Sequence, residues 1–195
     1  NAEIERNKIR DVAVLYDKLR TQLYQDLVAE FSPDLDRWGA QINPDLSIRF
    51  GRPELIFAKG ENELKQDFKV ILEDFFPRYL RIIASVKYRD DIAEVRIEGH
   101  TSSGWLSQSE DNAYFLNMGL SQARTRSTVE FLLQLPDVQD EKTWLKEHMT
   151  ANGLSSSKPI FDADGEEDRE RSRRVEFRLR TDAESRIAAI LESQR

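Results

Sequence analysis

The chain has 195 residues, of which 33% are charged, and a formal net charge of −7. Its length suits one domain of about 140 residues plus an extension. The acidic balance argues against unspecific attraction to nucleic acid or anionic lipid. The chain contains no cysteine, which excludes disulfide cross-links and thiol catalysis.

No stretch of the sequence approaches the roughly 18 uncharged apolar residues that would indicate a membrane-spanning helix. No secretory signal is visible either. Because the sequence starts at Asn1 rather than at a methionine, we expect a membrane anchor or a signal further upstream.

Residues 3–31 predict one long helix, because their apolar residues recur at intervals of three and four and neither Gly nor Pro interrupts them. Two interpretations remain open. The helix either packs on its own domain or forms a short parallel coiled coil that emerges from a membrane anchor. Residues 1–44 are accordingly predicted to be an N-terminal helical linker or coiled-coil segment, and residues 45–195 a single domain.

The remainder of the chain alternates between strand and helix patterns. Strands are predicted where apolar and polar residues alternate, and helices where apolar residues recur every three or four positions. A helix from about Glu61 should break or kink at Pro77, which removes a helical hydrogen bond. These elements predict an α/β sandwich with helices on one face of a mixed sheet. The predicted strands are 46–50, 93–99 and 174–180, and the predicted helices after Pro77 are 79–86, 117–135, 137–146 and 183–191.

The stretch from Val95 to Arg124 combines a strand, a small hydroxyl-rich loop and a helix. Along the helix, apolar or small residues recur at three or four residues. Asn117 and Arg124 are seven residues apart and therefore nearly superimposed on the helix surface, with Leu120 between them. An amide, an aliphatic side chain and a guanidinium thus line one stripe. The recurring residues are Leu116, Leu120, Ala123, Ser127 and Phe131.

The sequence offers little that would support catalysis. His100 and His148 are its two histidines, and neither has the spacing of a metal-binding motif. We interpret His100, at a strand end, as a hydrogen-bonding turn residue. No nucleophile elbow, phosphate-binding loop or dinucleotide fingerprint occurs. The sequence therefore predicts a protein that is not an enzyme and that has neither a catalytic residue, a metal site nor a cofactor.

Three separated motifs resemble the OmpA-like peptidoglycan-binding domain, which occurs in outer-membrane proteins, lipoproteins and MotB-type stator subunits. The first is Gly99-His100-Thr101, and the second is Asn117 with Leu120-Ser121 and Arg124. The third runs from Arg173 to Phe177 as RRVEF. The resemblance covers roughly residues 45–180. It implies a βαβαβ core, in which residues 149–153 match the family's third strand, and a binding site for the stem peptide of peptidoglycan.

The resemblance also implies which residues bind the ligand. In the family, an Asp after the Thr of the loop and the Arg of the helix hold the diaminopimelate of the stem peptide. Here that Asp is replaced by Ser102, and the family's Asn before the paired arginines by Ser172. Either Ser102, Ser103 and nearby carboxylates rebuild the contact, or binding is altered or lost. The candidate ligand-binding residues are Thr101, Ser102, Asn117, Leu120, Arg124 and Arg174.

Residues 162–170 contain six acidic residues in nine positions. Such a run is typical of a solvated loop. The functional alternative is a shield beside Arg173 and Arg174 that tunes access to the site.

Two functions from different classes follow. The first is a periplasmic cell-wall anchor of a MotB-like stator, with peptidoglycan, a second copy of the chain and a MotA-like inner-membrane protein as partners. The loop with Ser102 also resembles that of stator-like subunits in anti-phage defence systems. The second is an interaction module that kept the fold but lost peptidoglycan binding. Neither function involves nucleic acid.

Overall fold

The computed structural model describes residues 1–193 and contains eight α-helices and five strands within them. Two short 3₁₀ turns lie at 89–91 and 136–141. The helices are α1 Ala2–Phe31, α2 Leu35–Trp38, α3 Pro53–Ile56, α4 Gln66–Ile83, α5 Glu110–Gln134, α6 Lys142–His148, α7 Arg169–Ser172 and α8 Ala183–Glu192. The strands are β1 Ala40–Ile42, β2 Ile48–Phe50, β3 Ile92–His100, β4 Met149–Gly153 and β5 Arg174–Thr181.

The five strands form one sheet in the order β1-β2-β5-β3-β4. Strands β3 and β4 are parallel and are joined by a crossover that contains α5, whereas the other neighbouring pairs are antiparallel. The predicted fold class, an α/β protein with a mixed sheet and a long N-terminal helix, is confirmed. None of the helices within residues 1–193 combines the length and the apolar character needed to cross a bilayer.

Helix α1 joins the domain through its C-terminal half. Leu23, Leu27 and Phe31 are completely buried in the core, while the N-terminal half of the helix lies against α8 and exposes several apolar side chains. Strand β1, which pairs with β2, also precedes residue 45. The first 44 residues thus contribute both core side chains and a strand. Their division from residues 45–195 as a separate segment stays a prediction.

Aromatic side chains make up the centre of the core, between α4 and the sheet. The ring of Phe75 lies 5.0 Å from those of Phe31 and Tyr79 and 5.1 Å from those of Phe50 and Phe177. Stacked, tilted and edge-on pairs of this kind contribute beyond the area they bury. They fix α4 on the sheet.

The prediction of a break at Pro77 is wrong, because α4 continues through this residue, and the alternative prediction of a kink stays a prediction. Proline removes one backbone hydrogen bond from the helix. Phe75 and Phe76 before it and Tyr79 and Leu80 after it are all buried, so the helix is held against the core on both sides of the proline. The free energy gained by burying these four side chains offsets the loss of the backbone hydrogen bond. The helix begins at Gln66, five residues after the predicted start at Glu61.

Helix α5 packs on the sheet with a face of small and polar residues rather than with its apolar stripe. A Cβ on Gly99 of β3 would lie only 2.9 Å from the Cγ2 of Thr125, so the helix and the strand approach closely. Leu116, by contrast, is 42% exposed. Close packing of this kind places the side chains of α5 beside the end of β3. The buried residues of the helix are Ala113, Asn117, Ser121, Thr125, Thr128 and Leu132.

Candidate functional site

A cavity of about 290 Å³ opens between the α3 region, helix α5 and the start of β5. Its walls are strongly basic. Gly99, His100 and Ser121 form the part nearest the sheet, and Phe57 forms part of the opposite wall. Two acidic residues, Glu54 and Glu170, also line it. The basic lining residues are Lys59, Lys65, Arg124, Arg173 and Arg174.

Arg124 reaches from α5 across the cavity to the segment that follows α3. Its Nε donates to the carbonyl oxygen of Glu61 at 2.8 Å and its Nη2 to that of Ala58 at 3.2 Å. Its guanidinium also lies over the ring of Phe57, 4.7 Å from the ring centroid. These contacts hold the side chain in one orientation. All three partners are neutral.

Burial, together with the nearby positive charge of Arg173, lowers the pKa of Arg124 to about 10. The side chain therefore remains a cation at neutral pH, although its charge is partly desolvated. Among residues 1–193, no ion pair involves Arg124, Arg173, Lys59 or Lys65. The cavity thus holds several cations without matching acidic partners.

Arg174, at the start of β5, has a different environment on the wall of the same cavity. Its Nε lies 3.3 Å from Glu176, and its Nη1 and Nη2 each donate at 3.0 Å to the carbonyl oxygens of Ser172 and Lys158. The residue is 6% exposed. Its position is therefore fixed by the protein, and its charge is matched by a carboxylate.

Glu176 and Glu98 form the centre of a network of ion pairs on the polar face of the sheet. Arg178 contacts both carboxylates, at 3.3 Å for Glu176 and 2.9 Å for Glu98. Burial alone would raise the pKa of Glu176, but hydrogen bonds from His100 and Arg49 and the charge of Arg174 lower it well below its usual range. The pKa of Glu98 is lowered by similar partners against the same effect of burial. The further arginines are Arg49 and Arg174 on Glu176, and Arg96 on Glu98.

His100 lies between these two carboxylates. Its Nε2 is 3.2 Å from an oxygen of Glu98 and 3.2 Å from an oxygen of Glu176. The three side chains bring their ligand atoms within 4.8 Å of one another, a geometry that a metal ion can use. Four arginines already pair with the two carboxylates, however, so a cation would have to displace them against their charge. The set is better suited to stabilising the sheet than to holding a metal.

The predicted loop residues lie beside the cavity but do not line it. Thr101 is buried, and its backbone N–H donates to the carbonyl oxygen of Ser155 at 2.9 Å. The Nδ2 of Asn117 donates to the carbonyl oxygens of Ser102 and Gly104 at 3.1 and 3.4 Å. Asn117 therefore holds the loop in place.

Of the six predicted ligand-binding residues, the cavity brings together Arg124 and Arg174. Thr101, Ser102, Asn117 and Leu120 are outside its lining, and Leu120 is half-buried on α5. Their direct contact with a ligand stays a prediction.

Sequence reasoning missed Lys59 and Lys65, it considered Glu170 only as part of the acidic run 162–170, and it chose Arg174 over its neighbour Arg173. Arg173 belongs to the RRVEF motif, so the motif itself carried a signal for it. Lys59 and Lys65 flank a segment whose position depends on contacts with Arg124, and no local pattern marks them.

No protein-family model matches the chain. Among solved structures, it is similar to a MotB-like protein from Desulfovibrio vulgaris, with a TM-score of 0.56 and 22% identity over 88% of this chain and 94% of that one. It is also similar to the cell wall anchor of the T6SS from Pseudomonas aeruginosa, with a TM-score of 0.53 and 20% identity over 80% of this chain and 96% of that one. The periplasmic domain of Helicobacter pylori MotB gives a TM-score of 0.50 and 19% identity over 76% and 85% of the two chains. At these identities the likeness establishes the fold alone.

One relative is much closer in sequence. The Zorya protein ZorB of Escherichia coli is 44% identical over 191 residues, which span 97% of this chain and 80% of that protein. Both the extent and the level of this identity go far beyond what a shared fold requires. The chain therefore belongs to the family of the Zorya protein ZorB.

Proposed function

We propose that the protein is a non-catalytic cell-wall anchor that binds the stem-peptide carboxylates of peptidoglycan in the cavity beside Arg124. One observation carries this proposal. Arg124 is a partly desolvated cation whose partners are two carbonyl oxygens and an aromatic ring, and its charged neighbour, Arg173, has the same sign. An anion that enters the cavity would strongly stabilise the charged form of such a group.

The guanidinium of Arg124 keeps donors for a ligand. An arginine has five N–H groups, and the backbone of Ala58 and Glu61 takes two of them. The remaining three lie on Nη1 and Nη2, the pair of nitrogens that can hold a carboxylate through two parallel hydrogen bonds. Charge-assisted hydrogen bonds contribute about 1.5–3 kcal/mol each.

The other predicted residues have supporting roles in this proposal. Arg174, fixed by Glu176, adds positive potential at the cavity wall. Asn117 holds the loop that carries Thr101 and Ser102, whose hydroxyl groups would orient the peptide. Leu120 would give it an apolar contact on the exposed side of α5.

The relatives support a biological setting for this binding. They include a Zorya protein, a MotB-like protein, a cell wall anchor and the periplasmic domain of MotB. We place the protein in the periplasm as part of a MotB-like stator subunit in anti-phage defence. It would act as a homodimer, tethered to the inner membrane by a segment outside this chain and paired there with a MotA-like protein.

The alternative function is an interaction module that has lost peptidoglycan binding. Ser102 favours it, because this residue replaces the family's acidic ligand contact and its side chain does not line the cavity. The net charge of −7 would suit a basic protein partner.

The experiment is cosedimentation of the protein with purified peptidoglycan sacculi. We expect Arg124→Ala to weaken binding at least about tenfold, a loss of about 1.4 kcal/mol or more. Arg124→Lys should bind at an intermediate level, because it keeps the charge but loses the planar fork. Arg126→Ala is the matched control, since Arg126 lies on the same helix and pairs with the exposed Glu130.

Thermal melting of each variant should show that it is folded. Binding of Arg124→Ala at the level of the unchanged protein would reject the cavity as the peptidoglycan site. Absence of pelleting in all four proteins would favour the interaction module.

A further inference from the structure

We propose that His100 makes binding in the cavity depend on pH, because its ring, when protonated, donates a hydrogen bond from Nδ1 to an anionic ligand. This inference rests on the proposed function and adds a means of regulating it. Binding should strengthen as the pH falls from about 8 to about 5.5, the range in which histidine side chains gain their charge.

The ring of His100 lies between the ion-pair network and the cavity. His100 is the last residue of β3 and lies on the same face of the strand as Glu98, two residues before it. It is 4% exposed and lines the cavity. Its Nε2 is 3.2 Å from an oxygen of Glu98 and 3.2 Å from an oxygen of Glu176. The network therefore fixes one side of the ring, and the other side carries Nδ1.

The two carboxylates determine which nitrogen of the ring always carries a proton. Burial raises the pKa values of Glu98 and Glu176, but hydrogen bonds from His100 and the charges of neighbouring arginines outweigh it and lower both. Both groups are therefore ionised at neutral pH and can only accept hydrogen bonds, so Nε2 must donate. In the neutral ring Nδ1 then has a lone pair, and only in the protonated ring does it have an N–H group.

The Nδ1 atom of His100 is buried and has no hydrogen-bond partner within residues 1–193. Two further side-chain atoms in this part of the chain share that property, the hydroxyl oxygens of Tyr79 and Thr101, but neither residue lines the cavity. A buried polar atom without a partner is unfavourable, so a ligand group that pairs with Nδ1 would stabilise the complex. The lone pair of the neutral ring repels an anion, whereas the N–H group of the charged ring forms a charge-assisted hydrogen bond with it.

The charged groups on both sides of the ring allow its charge to respond to a ligand. On the network side, Glu98 and Glu176 already pair with arginines, so they do not require a positive ring. On the cavity side, cations outnumber the two acids, Glu54 and Glu170. An anion in the cavity would offset these cations and so favour the charged ring. The arginines of the network are Arg49, Arg96, Arg174 and Arg178, and the other cations of the cavity are Lys59, Lys65, Arg124 and Arg173.

The test is cosedimentation of the protein with purified sacculi between about pH 8 and about pH 5.5. We expect the unchanged protein to bind at least about tenfold more tightly at the lower pH, the effect of one charge-assisted hydrogen bond. Glu176 stays ionised over this range and Arg124, with a pKa of about 10, stays charged, so neither accounts for the change. His100→Gln should bind with a flat pH profile, because an amide does not titrate.

Two controls separate His100 from the other groups that titrate. His148→Gln is the matched control, because His148 is the second histidine of the chain and lies at the end of α6, outside the cavity lining. It should keep the pH profile of the unchanged protein. Glu170→Gln addresses the acids of the cavity wall, whose protonation would also favour an anion. It should retain the pH dependence, whatever its affinity.

A second measurement does not depend on the folding of His100→Gln. By thermodynamic linkage, a ligand that binds the protonated ring more tightly must raise the proton affinity of that ring by the same factor. The probe is a preparation of muropeptides released from the same sacculi. NMR titration of the unchanged protein follows the two histidine rings, which His148→Gln assigns. We expect the ring of His100 to titrate at a higher pH when muropeptides are bound, and that of His148 to titrate at the same pH in both states.

Equal pH dependence in the unchanged protein and in folded His100→Gln would overturn the inference, as would a His100 ring that titrates at the same pH with and without muropeptides. Binding that does not change with pH but is lost in Arg124→Ala would overturn the inference and leave the proposed function standing. Failure of the unchanged protein to bind sacculi at every pH would overturn both.

Discussion

Arg174 and Arg124 line one cavity, but the regions behind them differ in how charge is balanced. Arg174 belongs to the network on the polar face of the sheet, where Glu98 and Glu176 pair with four arginines. Arg124 has neutral partners and a cationic neighbour. The network is complete within the protein, whereas Arg124 has no ion-pair partner within the described residues. The charges of the network therefore stabilise the fold, whereas the charge of Arg124 is available to bind a ligand.

The largest effect on stability should come from Glu176→Gln. This change leaves the buried Arg174 and the partly exposed Arg49 and Arg178 without their carboxylate, and breaking a buried ion pair on one side costs about 3–5 kcal/mol. Urea denaturation measures the free energy of unfolding. Glu130→Gln is the control, because the exposed pair of Glu130 with Arg126 should contribute at most about 1 kcal/mol. Similar losses in the two variants would contradict the distinction between the network and the surface.

Arg174→Ala and Arg124→Ala should affect different measurements. Arg174→Ala removes hydrogen bonds to Glu176 and to two carbonyl oxygens, so we expect it to lower the free energy of unfolding by about 1.5–3 kcal/mol. Arg124→Ala should lower stability less and sacculus binding more. A variant pair in which stability and binding fall in parallel would show that the two regions are not separable.

Acid should weaken the network through the protonation of Glu176. The pKa of Glu176 is lowered from its ordinary value of 4.5 in the folded protein. The unfolded chain therefore binds this proton at a higher pH than the folded one, and the stabilisation is complete above about pH 4.5 and is lost as the pH falls below it. Unfolding midpoints measured between pH 7 and pH 3 should fall over this range. Glu176→Gln should show a shallower decline, and an equally steep one would contradict the assignment.

The smallest effect should come from Asn117→Ala. Its Nδ2 donates to Ser102 and Gly104, and the loss of such hydrogen bonds costs about 1 kcal/mol. Because these bonds hold the loop beside the cavity, amide hydrogen exchange should accelerate at residues 102–104. Protection that stays unchanged there would mean that the loop is held by its other contacts, such as that of Ser103 with Glu167.

Several elements could be predicted from the sequence because their determinants are local. The alternation in β3 and β5 and the helical period of α1 follow directly from residue order. Pro77 misled the prediction, since a proline ends a helix only where tertiary packing does not hold both sides. The sequence pattern also failed to identify the face of α5 that packs on the sheet, because that face depends on tertiary contacts. A helix that approaches a strand at Gly99 needs small residues there, so most of its buried face consists of small or polar residues.

The sequence by itself determined the order of the elements, the fold class and the position of Arg124 on a helix after a strand and loop. Only the tertiary structure decided which charges share the cavity. Lys59, Glu170 and Arg124 are far apart in the chain, and their meeting depends on how the α3 region and α7 pack against α5. The balance of charge at Arg124 and Arg174 likewise depends on distances in space, because electrostatic interactions follow separation and burial rather than sequence order.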